Sequence, residues 1–185
     1  MKIKIIIFMT ILGVFSSSVI FSQNNNEISE NVRRALRTAG LTVPLRANVP
    51  SDFTLPALDG TEFTLSRQKG KVVFLNFWAT WCPPCREEMP SMESLYQKLK
   101  DKGLEIIAVN LQESGNNVAA FMNRSYLSFP ALLDARGTVG SMYNVRAIPT
   151  SYIIDKRGLI VAQLVGSTNW DTPNMVAAFE ALLAE

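Results

Sequence analysis

The stretch Lys71-Val72-Val73-Phe74-Leu75-Asn76-Phe77-Trp78-Ala79-Thr80-Trp81-Cys82-Pro83-Pro84-Cys85 decides how this chain reads. It opens with a nearly continuous apolar run, Lys71 to Trp78, the pattern of a strand buried on both faces rather than one with a solvated side. Two prolines between two cysteines then end the strand. They suit the first turn of a helix, where an N–H needs no intrahelical partner. The spacing predicts a helix from near Cys82 to Lys102, bent at Pro90 and stopped by Gly103.

Downstream, strands and helices alternate. Leu104 to Val109 reads as a second buried strand, Asn116 to Tyr126 as a helix, Ala131 to Leu133 as a short strand and Thr138 to Tyr143 as a short helix. After Pro149, Ser151 to Ile154 and Leu159 to Val165 read as strands joined by the turn sequence Asp155-Lys156-Arg157-Gly158. Thr172 and Pro173 then open a final helix carrying Val176, Phe179, Leu182 and Leu183. Upstream, Asp52-Phe53-Thr54-Leu55 and Glu62-Phe63-Thr64-Leu65 alternate polar with apolar around Asp59-Gly60, which signals a hairpin. The expected fold class is α/β: a central mixed sheet with helices on both faces and an antiparallel edge, preceded by an N-terminal β-hairpin.

Residues 51–185 thus make one domain, and two segments of different character precede it. Residues 23–50 read as a linker with a short helix, because Ile28, Val32, Ala35, Leu36 and Ala39 recur at helical spacing before Gly40. Arg33, Arg34 and Arg37 are expected on its solvated face. Residues 1–22 run from Lys2 and Lys4 through an apolar stretch to Ser16-Ser17-Ser18, the order of a secretory signal peptide. The 19 residues from Ile3 to Phe21 also approach the length that spans a bilayer as a helix, so a retained membrane anchor stands beside a cleaved signal. Either reading takes the domain out of the cytoplasm, and a buried cytoplasmic helix is the third reading of the segment.

Composition narrows the chemistry. Hydrophobic residues are 48% and charged residues 18% of the 185, enough for a packed core. Eighteen Lys and Arg against 16 Asp and Glu leave a net charge of +2, with no electrostatic footprint for a nucleic-acid partner. Histidine is absent, which excludes Ser-His-Asp and Cys-His nucleophile pairs and His-ligated zinc or haem. Cysteine occurs only at 82 and 85. A bridge across two residues closes almost no loop, so it stabilises little and exchanges readily. As half of a metal site it would need a second ligand pair, which the sequence lacks, so no metal is expected. The expected redox group is the Cys82/Cys85 disulfide itself, with no other cofactor. Unpaired N–H groups and the helix dipole at a helix start favour a thiolate. Cys82, nearest that start and the solvent, is the expected nucleophile and Cys85 the resolving thiol.

The run from Phe77 to Cys85 resembles the active-site segment of thioredoxin-fold proteins, and Ala147-Ile148-Pro149-Thr150 resembles the loop whose cis-proline faces the cysteines in that fold. Within the AhpC/TSA-redoxin-like superfamily the chain is most similar to exported thiol-disulfide oxidoreductases of the ResA/TlpA type. The hairpin from Asp52 to Leu65, Cys-Pro-Pro-Cys-Arg-Glu-Glu at 82–88, and Ile107-Ala108-Val109-Asn110-Leu111-Gln112-Glu113-Ser114 carry that choice. The resemblance covers about Ser51 to Glu185. It implies a thioredoxin-like fold, a cis Pro149, and an Ile148 backbone that pairs with an extended substrate segment beside Cys82, with Trp81, Pro83 and Pro84 on the same surface. Trp78 is expected in the core and Trp81 as an exposed apolar platform.

Thioredoxin resembles this strand but has a buried aspartate where this chain has Asn76, and an amide cannot take up a proton at neutral pH. Glu88, three residues after Cys85, matches a glutamate of the ResA motif. It is expected to be partly buried, with a raised pKa, and to move protons to and from the thiols. The plainer alternative is a helix-surface carboxylate; Glu87 is expected in solvent. As partners the resemblance implies a disulfide-containing protein such as apocytochrome c, whose Cys-x-x-Cys-His segment must be reduced before haem attachment, and a membrane thiol-disulfide electron donor. The location it implies is periplasmic or extracytoplasmic and membrane-associated.

Three rival functions are weaker. A disulfide-forming oxidant or isomerase of the DsbA type carries a large helical insertion, for which Leu104 to Thr150 leaves little room. A peroxiredoxin-type thiol peroxidase shares the fold and hairpin but sets its cysteine in Pro-x-x-x-Thr-x-x-Cys, whereas Thr80 is two residues before Cys82. A binding module that kept only the fold predicts damaged cysteines, and both are present. Asn123-Arg124-Ser125 is a glycosylation sequon on paper and a weak pattern.

Overall fold

A computed structural model describes residues 26–185. The expected signal or anchor segment, residues 1–22, lies outside the described residues.

The strand at the centre, β3 (Val72–Trp78), is buried at all seven positions. It pairs in parallel with β4 (Leu104–Leu111) and antiparallel with β6 (Thr150–Ile154). Beyond them, β5 (Ala131–Asp134) runs parallel to β4, and β7 (Ile160–Val165) antiparallel to β6. The result is a five-stranded mixed sheet in the order β5-β4-β3-β6-β7, with the expected antiparallel edge.

Alternate residues of β3 serve two cores. Val72, Phe74 and Trp78 join the side covered by α2 (Pro83–Leu99), α3 (Gly115–Arg124) and α5 (Pro173–Leu183). There the Phe74 ring lies 4.3 Å from the Trp170 ring and 5.8 Å from that of Phe179. Val73, Leu75 and Phe77 face Phe53, Leu55, Val139 and Tyr143, supplied by α4 (Thr138–Met142) with its C-cap Tyr143 and by the hairpin of β1 (Thr54–Pro56) and β2 (Glu62–Thr64) with Phe53 just before it. The hairpin joins the sheet by a bridge from Ala57 to Leu132, and Tyr143 Oη donates to the Ser51 carbonyl at 2.7 Å.

The helix α2 continues across Pro90, tightens into a 3₁₀ turn over Lys100–Lys102 and stops at Gly103, whose φ of +104° a side chain would strain.

The expected linker is a correction. Its helix exists as α1 (Glu30–Thr38), capped by the Ser29 hydroxyl. Instead of a free tether, the segment is part of the domain: Ile28, Val32, Leu36, Leu41 and Ala47 are buried in the α2-side core, and α1 packs against α5. Thr42 and Asn48 bridge to Gln163 and Ile160, so this stretch covers the exposed edge of β7. Arg33 is also not solvated. Its Nη1 and Nη2 donate to the Pro44 and Leu45 carbonyls at 2.8 and 2.9 Å, whereas Arg34 and Arg37 are exposed as expected.

Candidate active site

The strand β3 delivers its carboxyl end directly into α2, and the cysteines sit at that junction. Cys82 is the N-cap of α2 in extended conformation, with Pro83 and Pro84 in the first two helical positions. Capping geometry aims the third helical N–H at the side chain of the cap. Here the Cys85 N–H points at Cys82 Sγ, 3.3 Å away. The two sulfurs are joined as a disulfide, Cys85 fully buried and Cys82 with a small exposed edge of 3%. Once the bond is reduced, the same N–H and the helix dipole stabilise negative charge on Cys82 Sγ.

Opposite the cysteines the Ile148–Pro149 bond is cis, as the resemblance implies. The Ile148 carbonyl oxygen lies 3.7 Å from Cys82 Sγ. Around them Trp81 is 67% exposed, Pro83 is exposed, Pro84 and Ile148 are half-buried, and Pro149 is buried. Trp78 is fully buried against Phe121, 5.2 Å between ring centroids.

Glu88, two turns along α2 from Cys82, is 2% exposed. It is no helix-surface carboxylate. Its Oε2 accepts from Trp170 Nε1 at 2.9 Å and its Oε1 from Asn76 Nδ2 at 2.9 Å. Desolvation by burial pushes its pKa up from 4.5 to about 7, against the opposing pull of the bonds from Trp170, Asn76 and the Thr168 backbone. The side chain therefore changes charge near neutrality, where a proton carrier works best. A cleft of about 330 Å³ lined by Glu87, Glu88, Pro90, Ser91, Ser167, Thr168 and Asn169 opens beside it. Glu87 itself is exposed.

Sequence reasoning missed three contributors. Trp170 stands 82 residues from Glu88, with no local pattern tying the two together. Ser91 braces them, its hydroxyl donating to the Glu88 carbonyl at 2.6 Å while accepting from the Trp170 N–H at 3.0 Å. Glu113 accepts from the Thr80 N–H at 2.6 Å, from the Thr80 hydroxyl, and from Asn110 Nδ2 at 2.8 Å. That carboxylate pins the loop carrying Trp81. Glu113 lies in the segment Ile107–Ser114 that carries part of the family resemblance, but nothing in the spacing points from it to Thr80. Among the described residues no cluster of Cys, Asp and Glu is arranged to hold a metal.

A second cleft, of about 260 Å³ and mainly apolar, includes Val49, Leu65, Val73, Ile154 and Leu159. It sits at the end of the sheet away from the cysteines, since Val73 and Ile154 pair at the opposite end of β3 from Trp78. It plays no part in the redox site.

Known proteins resemble the chain along this framework. It is 45% identical over 115 residues to the thiol-disulfide oxidoreductase ResA of Bacillus thuringiensis strain Al Hakam, 62% of this chain and 66% of that one. The ResA of Geobacillus kaustophilus is 46% identical over 116 residues, 63% of this chain and 67% of that one. These matches span about two thirds of the length of the relatives. Among solved structures, StoA of Bacillus subtilis superposes with a TM-score of 0.60 at 28% identity, covering 70% of this chain and 98% of that one. A thioredoxin-family thiol:disulfide interchange protein of Chlorobium tepidum gives 0.65 at 26%, covering 76% and 99%. The family model for AhpC/TSA matches residues 46–163, from the segment beside β7 through the cysteines to β7 itself. With its thioredoxin-like sheet and its Cys-Pro-Pro-Cys junction, this chain belongs to the AhpC/TSA family.

Proposed function

We propose that this protein is an exported thiol-disulfide oxidoreductase that reduces protein disulfides by dithiol-disulfide exchange. One observation carries the reading: Cys82 Sγ occupies the N-cap of α2, receives the Cys85 N–H, and shares its helix with a buried carboxyl that titrates near 7. In the forward step the Cys82 thiolate attacks one sulfur of a substrate disulfide. The other substrate sulfur leaves as a thiolate and takes up a proton. Glu88 accepts the proton of the Cys85 thiol, whose thiolate attacks Cys82 Sγ in the mixed disulfide and expels the second substrate sulfur. Two electrons and two protons pass to the substrate, and the Cys82–Cys85 disulfide remains.

The substrate binds as an extended segment across Trp81, Pro83, Pro84 and the Ile148–Pro149 loop, with the Ile148 backbone beside the reacting sulfur. Apocytochrome c, with its Cys-x-x-Cys-His segment, fits that chemistry. A membrane thiol-disulfide carrier returns the dithiol to its reduced state, and no cofactor beyond the disulfide takes part. Residues 1–22 carry the domain out of the cytoplasm, by a cleaved signal or as an anchor that keeps it membrane-associated.

Trapping tests the roles. Cys85→Ser, challenged with an oxidised Cys-x-x-Cys peptide, should accumulate a mixed disulfide through Cys82, visible as one added peptide mass. Cys82→Ser should not. Equal trapping by both variants would overturn the assignment of nucleophile and resolving thiol.

A further inference from the structure

Beneath Glu88 lies a buried amide whose partners are incomplete. Asn76 is fully buried on β3. Its Nδ2 donates both to Glu88 Oε1, at 2.9 Å, and to Ser151 Oγ on β6, at 3.0 Å. Its Oδ1 has no hydrogen-bond partner among the described residues. A buried polar atom left bare costs free energy, so that arrangement is favourable only while Nδ2 faces strong acceptors. An ionised Glu88 is such an acceptor. A protonated Glu88 carries an O–H on one of two oxygens that both face N–H donors, and when that oxygen is Oε1 the O–H meets the Asn76 N–H.

We propose that Asn76 and Ser151 form a proton-state switch beneath Glu88: the amide presents Nδ2 to the carboxylate and turns to present Oδ1 to the carboxyl O–H. Three features make the turn accessible. The two ends of an amide are nearly equal in size, so a half-turn about its last side-chain bond displaces no neighbour. The Ser151 hydroxyl accepts in the first state and donates in the second simply by rotating its hydrogen. One amide atom is left without a partner in either state, so neither orientation wins on that count. The proposal rests on the reading of Glu88 as the proton carrier and explains why an amide, unable to carry the proton itself, stands under it. Because it solvates both charge states, the switch keeps proton loss and gain at Glu88 comparably easy, which a fixed donor would not.

Other charges lie on the rim of this network and leave the turn to Glu88. On α2 these are Arg86 and Glu87, both exposed, and the two cysteines, which do not titrate as a disulfide. From the loop before α5 comes Asp171, tied to Lys98 and Ser94. β3 and β6 contribute only the neutral Asn76 and Ser151.

Trp170 supplies the control, because an indole N–H can only donate. Trp170→Phe removes a bond that is charge-assisted to the ionised form and weaker to the protonated one, and should raise the Glu88 pKa by about one unit or more, roughly tenfold in its ionisation constant. Asn76→Leu removes a partner of both forms and should raise it by well under half of that. The pKa is read from the Glu88 carboxyl carbon by ¹³C NMR on the oxidised protein between pH 5 and 9. In the wild type, the Asn76 side-chain NH₂ should lose its hydrogen-bonded proton shifts as pH falls, with the same midpoint as Glu88. Equal pKa increases in the two variants, or an Asn76 NH₂ that stays hydrogen-bonded throughout, would overturn the switch while leaving Glu88 as the carrier. A wild-type Glu88 carbon with no titration in that range would overturn the carrier and the switch together.

Discussion

Replacing Glu88 by glutamine should change how stability depends on pH by an amount the structure sets. Burial moves the carboxyl from 4.5 to about 7, so ionising it costs about 3 kcal/mol more in the folded chain than in the unfolded one. The direction follows from linkage. Below pH 4.5 both states hold the proton and stability is unaffected. Between 4.5 and 7 the unfolded chain releases it while the folded chain retains it, so stability falls as pH rises and levels off above 7. Between pH 5 and 8.5 the wild type should therefore lose about 2.5 kcal/mol from this residue alone. The side chain introduced by Glu88→Gln has nearly the same shape, still offers an oxygen to Trp170 Nε1, and has no proton to lose. Urea unfolding of both oxidised proteins at the two pH values isolates the effect, since every other titrating group cancels in the difference. With a slope of roughly 1–3 kcal/mol per molar urea, the wild-type midpoint should fall relative to the variant's by on the order of 1 M. Midpoints that move in parallel would mean that Glu88 is an ordinary carboxylate, and the proton path through it would go with them.

Two further outcomes probe the scaffold and the rim of the site. Leu36→Ala on α1 empties a fully buried position and should cost about 2–5 kcal/mol in urea unfolding, whereas a loss under about 0.5 kcal/mol would restore the linker reading of residues 23–50. Trp81→Ala, at a side chain 67% exposed, should leave the unfolding free energy within about 0.5 kcal/mol of wild type. It should raise KM for a protein disulfide several-fold while leaving reaction with a small disulfide unchanged, and equal effects on both would remove Trp81 from the substrate surface.

What could be read from the sequence was what short-range chemistry fixes. An unbroken apolar run means a two-sided strand, Pro-Pro after Cys82 means a helix start, and Gly103 means its end, because each rests on the backbone needs of a few consecutive residues. Glu88 could be placed near the cysteines because helical spacing carries it there from Cys85. Its environment could not, since Trp170 and Ser151 arrive from loop and β-strand segments far along the chain. The residues before Pro50 read as a tether for a related reason: polar and apolar positions at helical spacing look alike on a tether and on a helix docked to α5. Arg33 shows the limit clearly, as a charged residue at an apparently solvated position proves to bind two backbone carbonyls.

The reduction potential of the Cys82/Cys85 pair tests the direction of electron flow most directly. The measurement equilibrates a protein beginning near Gln23 against dithiothreitol or glutathione buffers and counts free thiols. A reductant should have a value near that of thioredoxin, roughly −270 mV. A value near that of DsbA, about −120 mV, would mean that the protein makes disulfides instead of reducing them.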